Sequence, residues 1–182
     1  MRINWTEIAG LMAFAPAAIA STAAAATTPK LQRFKRRWWT VVAGVHAILT
    51  FEILTNNRFA MGNAIRGVLR NAGVYQERRP FQAAVDGCIG IIALFAVWRL
   101  ARSAPDSWSA LACGTTAVAF AIFVAETVSL HSVDTFFYKS LGPILFIGWM
   151  WLACGAMTTF AAFRSASAYS SNNGEPQRAR GT

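Results

Sequence analysis

The chain has 182 residues, of which 55% are hydrophobic and 14% charged, and its 17 basic and 8 acidic residues give a formal net charge of +9. Soluble domains carry about 25% charged residues, and here the deficit is concentrated in apolar runs of about 20 residues, the length that crosses a bilayer core about 30 Å thick. This excludes a soluble globular domain. It also makes nucleic acid unnecessary as a partner, because basic residues flanking apolar runs are orientation signals and headgroup contacts.

The first element is residues 8–26, IAGLMAFAPAAIASTAAAA. It reads either as a signal-like apolar region ending in an A-x-A site or as a helix that stays in the chain. Charge asymmetry favours the second. With residues 30–37 inside, that side holds Lys30, Arg33, Lys35, Arg36, Arg37, Arg99, Arg102, Arg164, Arg178 and Arg180. The other side holds Arg58, Arg66, Arg70, Arg78, Arg79 and Lys139. The positive-inside rule then predicts residues 30–37 and the C-terminal tail on the cytoplasmic side, with residues 1–29 an uncleaved helix that spans or lies in the interface.

Four spans follow, at residues 38–56, 82–101, 108–131 and 143–163, each helical because an isolated strand cannot satisfy its backbone in lipid. Trp38, Trp39, Trp98 and Trp108 fall at span ends, where an aromatic belt is expected. Pro80 and Pro143 stand near span starts, where a missing N–H costs least. Between the first two spans, Met61, Ala64, Ile65, Val68, Leu69 and Ala72 keep helical spacing and Gly73 suits a stop. This predicts an amphipathic helix near 59–72, lying in the interface or capping the bundle. The bundle therefore covers residues 30–164, and residues 165–182 are too polar to fold and form a flexible tail.

Small residues suggest close helix approach. Cys113, Ala117, Ala121, Ala125 and Ser129 recur every four residues, Gly87 and Gly90 do similar work on 82–101, and Gly148 and Gly155 on 143–163. The three cysteines, Cys88, Cys113 and Cys154, lie in different spans without a C-x-x-C pair and read as small buried apolar residues.

The residues able to do chemistry are few. Glu52, Asp86 and Glu126 each lie about five residues from the same-side end of a span. Antiparallel connectivity brings all three to one layer, on the order of 7 Å below the surface at about 1.5 Å rise per residue. A charge in the membrane costs about 2.5–3.5 kcal/mol even on lenient scales, so these side chains should face the bundle interior. Arg58, Arg78 and Arg79 are their candidate partners, and His131 and Asp134 extend the cluster. Three uses fit: a structural layer of ion pairs and hydrogen bonds, a proton or cation site, or a metal site built from His131, Asp134 and Glu126 with Glu52 or Asp86. The Glu-x-x-His spacing of di-iron bundles is absent, and Asp134 serves equally as an N-cap for residues 135–138. His46 lies deeper than His131, so the pair does not suit a bis-histidine haem. It reads instead as a histidine hydrogen-bonded between helices, to Thr115, Thr116, Thr158 or Thr159. No cofactor is favoured. Nucleophile-elbow, zinc-protease, phosphate-loop and dinucleotide motifs are all missing, and no residue stands out as catalytic.

The run ETVSLHSVD, with NRF closing an earlier span and RRPFQ preceding another, resembles small uncharacterised bacterial polytopic inner-membrane proteins. In those a Ser-x-His-x-x-Asp segment closes a transmembrane helix, and Ser129, His131 and Asp134 match it here. The resemblance implies a bacterial inner membrane and no known activity. The expectation is an all-α integral membrane bundle. It would act as a non-catalytic subunit or accessory protein of a larger membrane complex, with a membrane-protein partner or through self-association. The alternative is a proton- or cation-handling protein that uses the outer acidic/His cluster.

Overall fold

A computed structural model describes residues 4–71, 73, 78–128 and 135–172. Six long helices make up the described chain: α1 (Trp5–Thr27), α2 (Arg33–Thr55), α3 (Asn57–Asn71), α4 (Arg78–Ser103), α5 (Ser107–Val128) and α6 (Phe146–Asn172). A two-stranded hairpin, β1 (Ser140–Leu141) and β2 (Ile144–Leu145), leads into α6. Gly142 turns it with φ +71°, ahead of Pro143, the positive angle that two-residue hairpin turns require.

Among the described residues, four helices are long and apolar enough to cross a membrane: α1, α2, α5 and α6. The N-terminal segment is thus one of the four. α4 is a 26-residue helix, but its described apolar stretch is Gly90–Leu100. Large apolar side chains cover the outside of the bundle, among them Met12, Ile19, Ile48, Phe51, Ile91, Leu94, Phe160 and Phe163. Water would not tolerate so much exposed apolar surface, whereas acyl chains solvate it. The protein is a multi-pass membrane helix bundle.

α1 sits at its centre, packed against α2 and α6. α1 and α6 run parallel: Gly148 lies beside Thr6 and Ala9, and Gly155 lies beside Ala13. A methyl on Gly155 would stand 2.7 Å from the Ala13 Cα and overlap its carbonyl, so glycine there permits backbone contact. α5 packs against α4, α6 and α2. On α4, Val97 reaches to within 3.8 Å of a methyl placed on Gly114, which sets the antiparallel register of α4 and α5.

The interior is stratified. One apolar cluster holds Phe14, Leu49, Ile53, Ile122, Phe123, Ile147 and Trp151. The other holds Ala24, Trp39, Val42, Ala112, Cys113, Ala161 and Ala162. Between them lies a polar layer. His46 Nε2 is 3.1 Å from Thr116 Oγ1, and Thr115 Oγ1 is 2.8 Å from Thr158 Oγ1. Thr116 gives its one hydroxyl proton to the Ala112 carbonyl at 2.6 Å. His46 must therefore donate, which puts its proton on Nε2.

Four expectations are corrected. Trp39 belongs to the core, not to an aromatic belt, because adjacent helical residues point about 100° apart and only one of Trp38 and Trp39 can face out. Gly87 and Gly90 have nothing within 4 Å of an added methyl, so they mediate no close packing among the described residues. Cys88 is exposed, while Cys113 and Cys154 are buried. The last helix runs on to Asn172 and buries Ser165, so the segment after 164 begins as helix: its serines and alanines are small enough to pack.

Candidate functional site

The N-terminus of α1, the C-termini of α2 and α5 and the start of α6 meet at one end of the bundle. Asn4 caps α1, its Oδ1 accepting from the N–H groups of Thr6 at 3.2 Å and Glu7 at 3.4 Å. Glu7 in turn accepts from the side-chain amide of Asn56 at 3.2 Å. Asn56 is the whole connection between α2 and α3. It adopts the left-handed conformation, φ 53°, and its N–H donates to the Glu52 carbonyl at 2.7 Å. Asparagine reaches this conformation more readily than other non-glycine residues. Thr6 Oγ1 accepts from the Leu145 N–H at 3.1 Å and so ties α1 to the hairpin.

Glu126 is the most buried carboxylate described, 6% exposed. The Tyr138 hydroxyl donates to its Oε1 at 2.8 Å, joining the end of α5 to the chain that returns toward α6. Glu52 is half-buried, flanked by the core residues Leu49 and Ile53. The helix registers set the levels. The His46–Thr116 contact places Glu126 level with Asn56 and about one turn, or roughly 6 Å, nearer the end than Glu52. The Val97–Gly114 contact places the backbone of Asp86 opposite Ala125. The end layer is therefore Glu126, Glu7 and the backbone of Asp86, with Glu52 one turn deeper.

Arg58, Arg78, Arg79 and Asp86 fall on α3 and α4, and their side chains lie outside the described residues, as do His131 and Asp134 entirely. Among the described residues no three His, Cys, Asp or Glu side chains gather as metal ligands would. His46 meets Thr116, one of the four threonines expected for it.

Glu7, Asn56 and Tyr138 were not anticipated. The first had a signal, since Asn4-Trp-Thr-Glu7 has the spacing of a capping box. The adjacent Asn56-Asn57 marks a backbone able to turn. Nothing in the chain marked Tyr138, whose role comes only from the return of the chain across α5.

The opposite end is basic. Lys30, Arg33, Lys35, Arg36 and Arg37 lie at the α1–α2 turn, Arg99 and Arg102 at the end of α4, and Arg164 on α6. Arg102 stacks over Trp98 at 4.8 Å, and Arg164 over Trp108 at 5.4 Å. Asp106, in the α4–α5 turn, pairs with Lys35 at 2.8 Å and caps α5 through Ser109. Burial pushes the Asp106 carboxyl up, but the hydrogen bonds and charge of Lys35 and the Ser109 donors outweigh it, and the group ends below its ordinary value.

No protein-family model, no curated protein and no solved structure matches the chain.

Proposed function

We propose that this chain is a small non-catalytic subunit or accessory protein of a larger complex in a bacterial inner membrane, with residues 30–37 on the cytoplasmic side. One observation carries the reading: each side chain–side chain hydrogen bond described within the apolar part of the bundle joins one element to another. Glu126 meets Tyr138, Glu7 meets Asn56, and His46 meets Thr116. Side chains spent on joints make a rigid scaffold rather than a reaction site. The basic end supports the orientation, because positively charged turns stay on the cytoplasmic side. Extraction in mild detergent, followed by affinity isolation and mass measurement, tests it. A second polypeptide retained at fixed ratio is the expected result, and a chain that isolates alone at its own mass of 19.8 kDa rejects it.

A second reading is proton or cation handling at the acid end. It is favoured by the burial of Glu126 near the end of a membrane helix, where ionisable groups often mark ion paths. Glu126→Gln in sealed vesicles would then abolish a proton or sodium flux that the unmodified chain supports. Equal flux in both rejects that reading.

A further inference from the structure

The α1–α2 turn and the start of α2 enclose an open cavity of about 390 Å³ lined by Lys30, Arg33, Arg36, Arg37 and Thr40. Among the described residues four cations line it and no carboxylate does. Lys35, the other cation of this run, is engaged by Asp106 at 2.8 Å. α2 begins here without a side-chain cap from Gln32 and without an acidic residue in its first turn. Its first open N–H groups and its dipole therefore add positive potential where the arginines already repel one another. An anion in the cavity relieves both.

The rest of the helix face says what carries that anion. Arg33, Arg37 and Thr40 lie on the same side of α2 as Gly44, Ile48 and Phe51, by the helical period of 3.6 residues. All are exposed, Ile48 by 64% and Phe51 by 61%. Among the described residues nothing stands within 4 Å of a methyl placed on Gly44, so the face dips there. A cationic pocket thus opens directly onto an apolar stripe in a membrane-spanning helix. A free anion has no use for the stripe, whereas a phospholipid fits both parts.

We propose that the pocket of Lys30, Arg33, Arg36, Arg37 and Thr40 binds the phosphate of an anionic phospholipid headgroup, with an acyl chain lying along Gly44, Ile48 and Phe51. The site is independent of the function proposed above, since it lies at the other end of the bundle from the acid layer.

The test is native mass spectrometry of the purified full chain in neutral detergent, titrated with dioleoyl phosphatidylglycerol, dioleoyl phosphatidylcholine or inorganic phosphate. The site predicts saturable retention of the anionic lipid over the zwitterionic one. Removing two headgroup cations in R33Q/R37Q weakens it about tenfold or more. R99Q/R102Q, which removes two cations from the same end outside the pocket, leaves retention within about twofold. Gly44→Phe keeps every cation and fills the dip, and it lowers lipid retention as well. Equal losses in the two double variants would mean diffuse charge attraction and overturn the proposal. So would equal retention of phosphatidylcholine, or inorganic phosphate competing as well as the lipid, which would make the site one for a free anion.

Discussion

Gly155 and Gly90 are both glycines in long helices, yet the structure gives them opposite roles. A methyl at Gly155 meets the backbone of Ala13, while one at Gly90 meets nothing within 4 Å among the described residues. Gly155→Ala should therefore force α6 away from α1 and destabilise the bundle by about 1–3 kcal/mol, the usual range for overpacking. Gly90→Ala should be neutral or slightly stabilising, since alanine favours helix by about 1 kcal/mol over glycine. Thermal unfolding in detergent compares the two. Asp106 gives a pH dependence. Its folded carboxyl titrates below its ordinary value of 3.8, so its pairing with Lys35 stabilises the fold above about pH 4, and that contribution fades as pH falls through the folded value. Acidification from pH 5 to pH 3 should cost the parent chain more stability than it costs Asp106→Asn, where position 106 no longer titrates. Equal acid limbs would show the pair to be energetically silent, as exposed pairs often are.

At the scale of elements, α1 bears most on how the protein is made. Ala13, Phe14 and Ala17 are buried, and the faces of Ile53, Trp151 and Gly155 turned toward them would open if α1 left. We expect the N-terminal segment to be retained. Intact mass of the protein taken from its native membrane should include residues 1–27, and a mass lacking them would contradict the packing. Asn56 is the matching hinge on the other side of α1. Asn56→Ala loses the bond to Glu7 and the short polar side chain that lets asparagine adopt the left-handed region, together about 1–3 kcal/mol. Asn56→Gly loses only the bond and should cost less. The helices themselves were legible, because runs of about 20 apolar residues bounded by charge leave little choice. Their inward faces were not. When every face of a helix is apolar, periodicity does not say which one is buried, and so Trp39, Cys88 and the glycines of α4 were misplaced. The four-residue spacing on α5 was weak for the same reason: Cys113 is buried, but Ala117, Ala121 and Ala125 are only half-buried.

At the scale of the whole molecule, cations crowd at the α1–α2 and α4–α5 turns, while Glu7, Glu52 and Glu126, the carboxylates packed into the bundle, lie toward the other end. Antiparallel connectivity alone carried Asp86 and Glu126 to one level, and that part of the site could be read from the chain. The partners that hold the acid end together could not, because Asn56 and Tyr138 sit in connections where no periodic pattern applies. On this account the acid end is a clasp that stabilises the bundle, and Glu126 with Tyr138 is its clearest joint. The direct test is a double-mutant cycle of Glu126→Gln and Tyr138→Phe, read by unfolding free energy in a bilayer mimic. Each single change should destabilise, and the pair should couple by about 0.5–2 kcal/mol. A Glu126→Gln chain that is more stable than the parent, as when a residue is kept for activity at the expense of the fold, with no coupling to Tyr138, would contradict it.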